Sequence, residues 1–505
     1  MKAILPALLA GIALLSLVAC GGEDATPTAT RAAASPTVTR IPLAQQTKVP
    51  SPTLPAAFPT VTATAPAEQT EVAQPTQQPP SATEETPVAP TETPPPAATE
   101  QAGVVQSAAE RITSPAVPDA DLGELVAGNT AFAFDLYQAL RDQPGNLFYS
   151  PYSISLALAM TYAGARGETQ RQMADTLSFT LPDDRLHPAF NALDLEFASR
   201  GEARQGEEAY RFQLNIANAM WGQQGYTFLP EFLDVLAENY GAGLRLLDFV
   251  SAPEESRLTI NDWVSDQTAG KIPDLLPPNI FNDLTRFVLT NAIYFNAGWL
   301  FPFEAEDTQD GPFYLLDGTE ITVPMMNQSQ DLAYTEGEGY QAVALPYGLS
   351  GLAMVLLVPP AGQFEAFESS LNADGARNIG MSLDYSRYWT VTLSMPKFDF
   401  ESSFDLAETL ATMGMPDAFT DLADFSGMTG NRELAISDVV HKAFVSVDEE
   451  GTEAAAATAS VGELASTPTP TPHVELTIDR PFIFLIRDSE TGAILFVGRV
   501  VNPSA

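Results

Sequence analysis

Cysteine occurs once in 505 residues, at Cys20, and histidine three times, at His187, His441 and His473. A single thiol forbids an internal disulfide framework and a thiolate zinc site. Three scattered imidazoles leave little for a metal centre or for His-dependent catalysis: His187 and His473 fall in polar, proline-adjacent or loop-like contexts, and His441 in a strand-like run. Positive charge is scarce too, with 24 Lys+Arg against 64 Asp+Glu and a formal net charge of −40. Such a chain has no basic footprint for nucleic acid or for an anionic membrane surface. Nor does it contain a Gly-x-Ser-x-Gly elbow, a His-Glu-x-x-His helix or a Gly-x-x-x-x-Gly-Lys-Ser/Thr loop. Among so many acids chance carboxylate pairs are unavoidable, and most read as solvated surface. The expectation is a protein that is not an enzyme and takes no cofactor or metal.

What is present falls into three parts. Lys2 and the apolar run Ile4 to Val18 read as an export segment, residues 1–19. Leu17-Val18-Ala19-Cys20 resembles a bacterial lipoprotein box, the alternative being an uncleaved signal anchor. The resemblance implies cleavage before Cys20, acylation of its thiol and new amine, and a secreted lipoprotein anchored at the extracellular face of a membrane. Several acyl chains hold a protein there stably, where one would not. Residues 20–118 form the second part, with eighteen prolines between Pro27 and Pro118 among Thr, Ala, Ser, Gln and Glu. That composition cannot bury enough apolar surface to offset its ordering entropy, so a disordered, partly polyproline-II stalk is expected. Fully extended it reaches on the order of 200–300 Å.

Residues 119–505 carry periodic apolar segments without another such linker until Thr467–Pro472, and read as one large domain. Leu125 to Leu140 has helical spacing. Ser150-Pro151 offers an N-cap with Pro at the first helical position, and Ile154 to Tyr162 is apolar nearly all round, as in a buried helix. Pro230 to Tyr240 is a further helix, stopped by Gly241. Phe287–Phe295, Leu352–Val358, Tyr388–Met395 and Phe482–Ile486 are β-rich. The fold class is α+β.

The informative stretch is Val445 to Pro481. A strand over Val440–Val447 stops at Asp448-Glu449-Glu450; then come Gly451, Thr452, four alanines (Ala454 to Ala457), Thr458, Ala459 and Ser460. Strand character returns near Val474. A segment of over twenty residues without structural cues implies function or disorder in a compact domain. The small residues could enter a sheet that is already packed; a short helix or a plain tether fits the alanines as well.

At this point the chain resembles the serpin family over essentially all of residues 120–505. Asn146 with Ser150-Pro151-Tyr152-Ser153, and Gly164-Ala165-x-Gly-x-Thr169, match its early buried helix and the turn after it. Ile260-Asn-Asp-Trp263-Val, Thr268-Ala-Gly270-Lys-Ile and Leu289-Thr-Asn291 through Trp299 match its central block. Val440-His441-Lys442-Ala and Glu449 through Thr458 match its hinge signature, and Pro481-Phe-Ile-Phe with Phe496 through Pro503 its C-terminal end. The resemblance implies three β-sheets, eight or nine helices and an exposed reactive-centre loop. It also implies a suicide-substrate inhibitor: a serine protease, or sometimes a cysteine protease, acylates the loop, which then inserts into the main sheet and distorts the attached enzyme.

The loop suits insertion. Thr452, Ala454, Ala456 and Thr458 share one face of an extended strand, with Glu453 on the other. A charge in the first set would be desolvated, which argues for an inhibitory member; the alternative is a non-inhibitory serpin-fold binding protein on the cell surface. Glu449, Gly451, Thr452, the intervening alanines including Ala455 and Ala457, and Thr458 are thus the hinge candidates. Family register places the reactive bond at Ala465–Ser466, with Leu464–Ala465 as alternative. A small or apolar residue there points to elastase-, subtilisin- or chymotrypsin-like targets, because no Lys or Arg lies between Gly451 and Arg480. Ser153, Asn291 and His441 match the family's polar cluster at the sheet-opening point, and Lys397, Glu449 and Trp299 its top of the sheet. The acid-balanced stretch Gly167 to Leu195 offers heparin no basic helix. A monomer is expected.

Overall fold

A computed structural model describes residues 99–101, 103–201, 212–452 and 471–504. Proline and glycine punctuate the helices as their chemistry requires. In the helix Pro151–Tyr162 the Ser150 hydroxyl accepts the Ser153 N–H at 3.1 Å, Pro151 occupies the first turn, and every residue is buried. The helix Pro230–Tyr240 likewise begins on proline and ends at Gly241, left-handed at φ 60°. Strands divide by environment. Leu352–Val358 is buried at every position and lies inside a sheet, whereas Phe398–Asp405 alternates buried and exposed.

Among the described residues the strands form two hydrogen-bonded sheets. The first has eight strands, in the order Thr99–Gln101, Val104–Gln106, Leu244–Leu247, Phe212–Gln223, Phe287–Gly298, Gly451–Thr452, Asp438–Val447 and Phe398–Asp405. The second has nine: His473–Thr477, Tyr388–Pro396, Glu320–Gly337, Tyr340–Pro346, Leu352–Val358, Phe482–Asp488, Ile494–Val500 and Leu147–Tyr149, with Gln309–Tyr314 alongside Glu320–Gly337. Two networks appear where three sheets were expected because one 18-residue strand serves twice. Glu320–Gly337 pairs with Tyr388–Pro396 through Met325 to Ala333, then with Tyr340–Pro346 through Ala333 to Gly337. Ten α-helical segments accompany them among the described residues, the shortest only Ser426–Thr429.

The main core lies between the two sheets and the helix Pro151–Tyr162. A smaller cluster on the other face of the first sheet joins Trp221, Val288, Ala292 and Val440 to Ile260 and Val264 of the helix Pro253–Gln267. Arg245 is held there by two indole faces, 4.7 Å from the Trp263 ring centre and 5.5 Å from that of Trp221.

Two expectations are corrected. The spacer assigned to 20–118 ends earlier: Thr99–Gln106 is a β-hairpin on the edge strand Leu244–Leu247, and the segment after it is bonded to two helices. Ile112 donates its N–H to the Glu238 carbonyl at 2.9 Å, and Arg111 bonds Asp194 at 2.6 Å and Asn191 at 2.9 Å. The composition misled because the packing of Val105, the Arg111 side chain and the Ile112 backbone N–H tie down so short a stretch. His187 lies in no loop. It is buried inside the helix Asp183–Gly201 with Nδ1 2.6 Å from the Tyr240 hydroxyl, and burial lowers its pKa to about 4. His473 opens a strand and is exposed.

Candidate functional site

The site is a gap in the first sheet. The strands Phe287–Gly298 and Asp438–Val447 run parallel and pair directly from Val288–Asp438 to Tyr294–Phe444. Above that point they diverge, and Gly451–Thr452 is wedged between them, antiparallel to both. Thr452 faces Ala297 on one side and Val447 on the other, and Gly451 faces Gly298. The chain therefore leaves the sheet at Val447, reverses at Asp448-Glu449-Glu450, and starts back down the gap.

The reversal is built from local bonds. Asp448 Oδ1 accepts the N–H groups of Glu450 at 2.9 Å and Gly451 at 3.2 Å, and the Asp448 N–H donates to the Gly451 carbonyl at 3.0 Å. A strand held on both flanks leaves no room for a side chain at Gly451. A Cβ there would run into the Ala297 carbonyl oxygen and lie 2.7 Å from Gly298 Cα, both backbone atoms that cannot swing away. Thr452 is 1% exposed, and its hydroxyl lies 2.6 Å from that of Tyr347, whose phenol burial pushes well up.

Trp299 closes the top. Its indole stacks on Tyr347 with ring centres 4.6 Å apart, Nε1–H donates to the Asp448 carbonyl at 3.0 Å, and its backbone N–H donates to the Glu450 carbonyl at 2.9 Å. The Lys397 ammonium bonds Glu449 at 2.6 Å, and the Thr308 hydroxyl bonds the other carboxylate oxygen at 2.7 Å. Burial alone would push the Glu449 carboxyl up, but these two donors outweigh it and hold the pKa below the ordinary value.

Lower down, where the strands are closed, Ser153, Asn291 and His441 come together. Asn291 Nδ2 donates to Ser153 Oγ at 2.7 Å and to Asn218 Oδ1, while Asn291 Oδ1 is bonded by His441 Nδ1. His441 Nε2 accepts the Ser150 N–H at 3.3 Å, which fixes the proton on Nδ1. Burial lowers the His441 pKa to about 3, so the ring is neutral. Asn218 is a member that the sequence did not mark: its Nδ2 donates to the Ser153 carbonyl at 2.9 Å and its Oδ1 accepts from Ser153 Oγ at 3.1 Å. Asp448, Tyr347 and Thr308 were missed as well. Only Asp448, an acid three residues before a glycine at a strand end, left a cue for a turn.

The candidates Cys20, Ala454, Ala455, Ala456, Ala457, Thr458, Leu464, Ala465 and Ser466 lie outside the described residues. Among the described residues no group of three or more His, Cys, Asp or Glu is placed to hold a metal ion, and no helix is long and apolar enough to cross a membrane.

Comparison with known proteins gives this geometry relatives. Residues 127–503 match the family model described as serpin (serine protease inhibitor). The leukocyte elastase inhibitor of Bos taurus is 41% identical over 395 residues, covering 75% of this chain and 100% of its own. An uncharacterised serpin-like protein of Thermococcus kodakarensis is 42% identical over 373 residues, covering 74% and 84%. Among solved structures, the thermophilic serpin tengpin in its native state superimposes with a TM-score of 0.64 at 28% identity, covering 75% of this chain and 94% of that one.

Proposed function

We propose that this chain, which belongs to the serpin family, is an inhibitory member that traps serine proteases by inserting its cleaved loop between Phe287–Gly298 and Asp438–Val447. The carrying observation is the register at the wedge. Thr452 stands opposite Ala297 and Val447, and the two neighbouring strands meet each other at Val288 and Asp438. Continued downward, one register fits both flanks: Ala454 falls opposite Phe295 and Val445, Ala456 opposite Ile293 and Ala443, and Val461 opposite Val288 and Asp438. In the inserted strand the small residues Thr452, Ala454, Ala456 and Thr458 would all face the core. Thr458 arrives at Asn291 and His441, where its hydroxyl replaces a partner that each loses when the strands part.

The same register supplies a driving force. Insertion exchanges one short parallel pairing for two antiparallel ladders, which are slightly more stable per residue, and buries the face that carries the alanines. Opposing it are the bonds of the polar cluster and the apolar cluster under Pro253–Gln267, which joins Val288 and Ala292 to Val440 across the closed strands. A protease acylated at Ala465 would be carried on the order of 40 Å below Thr452, since each strand residue advances about 3.3 Å. Its fold need not catalyse anything: the protein is the substrate, and its stored strain acts on the enzyme.

The small or apolar residues at Leu464 and Ala465 favour elastase-, subtilisin- or chymotrypsin-like enzymes, and Cys20 favours presentation on a membrane by acyl chains. The deciding experiment incubates the protein with elastase-, subtilisin-, chymotrypsin- and trypsin-like proteases, followed by denaturing gels and intact mass. A denaturant-stable adduct with release of a fragment beginning at Ser466 is expected. A fragment beginning at Ala465 moves the bond to Leu464. Cleavage with every protease still active overturns the inhibitory reading.

A further inference from the structure

Where the loop rejoins the fold, the molecule presents an aromatic corner that the fold itself does not use. Tyr385 is 89% exposed and Tyr388 63% exposed, at the turn between the helix Ala373–Asp384 and the strand Tyr388–Pro396. Two large aromatic side chains three residues apart in one turn are left in water, where their exposed area is open to a partner. The outward face of the strand continues with Thr390 and Thr392, whose hydroxyls lie 2.9 Å from that of Thr471 and 3.0 Å from His473 Nε2. The Thr390 N–H donates to the Pro472 carbonyl at 2.9 Å. The far foot of the loop is thus pinned two residues from Tyr388.

Chain length decides what lies over this corner. Four residues separate Ser466 from Thr471, and the five steps between them span at most about 18 Å. A protease of some 200 residues has a radius of gyration of about 16 Å. With the Ala465–Ser466 bond in its cleft, its body overlies the surface around Thr471. We infer that Tyr385, Tyr388 and the outward face of Tyr388–Pro396 form a secondary docking surface for the body of the target protease. Tyrosine suits the task, giving large contact area for little conformational entropy. Exposed Asp331 and Glu475 on the two flanking strands, with exposed Arg387 between the tyrosines, border this face with charges of both signs, which orient a partner on it.

The inference rests on the inhibitory reading, and the test separates the two. Association rate constants are measured from progress curves with leukocyte elastase and subtilisin for the wild-type chain, for Tyr385→Ala with Tyr388→Ala, and for Leu258→Ala. Leu258 is an exposed apolar control on the helix Pro253–Gln267, 47% exposed. With at least one protease the double variant should associate about tenfold more slowly, with an unchanged yield of denaturant-stable adduct per inhibitor cleaved, while Leu258→Ala matches wild type. Wild-type trapping with an unimpaired double variant overturns the docking surface and leaves the inhibitory reading standing. Failure of the wild-type chain to trap any protease overturns both.

Discussion

Replacing Thr452 with arginine tests the insertion mechanism at its first step. Thr452 is 1% exposed, and its hydroxyl is 2.6 Å from that of Tyr347. No space exists for a guanidinium at that point, so the variant side chain must leave the slot and draw the hinge out of the sheet. The loop then remains a substrate, but insertion has to take the arginine back into the core. A buried charge without a partner costs on the order of 3–5 kcal/mol, which is roughly 10²–10⁴-fold in rate if the full cost is met in the transition state. Trapping is a race between insertion and deacylation, so the yield of adduct falls with that ratio. With the protease that wild type traps best, Thr452→Arg should be cleaved at the same bond, with under about a tenth of the wild-type adduct by denaturing gel. Thr452→Ser keeps a hydroxyl for Tyr347 and should inhibit nearly as wild type. Wild-type adduct yield from Thr452→Arg would refute the reasoning, because the charge would then have entered the sheet without cost.

Gly451→Ala meets the Ala297 carbonyl oxygen and Gly298 Cα; it should expel the hinge without adding a charge and lower the unfolding midpoint, read by thermal melting. Lys397→Ala removes the donor that depresses the Glu449 pKa, and a depressed carboxyl stabilises the fold above its unfolded pKa and loses that stabilisation as pH falls. The variant should therefore melt lower at pH 7, by an amount that shrinks as the buffer is taken below about pH 4.5. His441 is held neutral in the fold with a pKa of about 3, so its contribution is complete above about 6.5 and declines as pH falls toward 3. His441→Gln should flatten that part of the pH–stability profile in denaturant titrations, while costing about 2 kcal/mol at pH 7 through the imperfectly replaced partners of Ser150 and Asn291.

Much of this architecture was legible because local chemistry and tertiary context agree. Pro151 and Pro230 start helices, Gly241 ends one, and the uninterrupted run Leu352–Val358 can only be an interior strand. Of the hinge candidates, Glu449, Gly451 and Thr452 lie among the described residues, and Gly451 and Thr452 do enter the sheet as small residues can. What stayed hidden depends on partners distant in sequence. Pro188 suggests a break beside His187, yet burial of Leu186, Ala189 and Phe190 holds the helix through it. Asn218 looks like any polar residue in a strand until the sheet sets it beside Ser153 and Asn291. The hairpin Thr99–Gln106 has no periodicity of its own and borrows its order from the edge it completes.

That hairpin also gives the molecule a front and a back. Phe212 and Thr452 both stand opposite Ala297 at the end of the sheet where the loop departs, whereas Val104 meets Arg245 beside Trp221, nine residues further down and about 30 Å away. The hairpin thus joins the sheet near the end opposite the one where Gly451–Thr452 enters the gap.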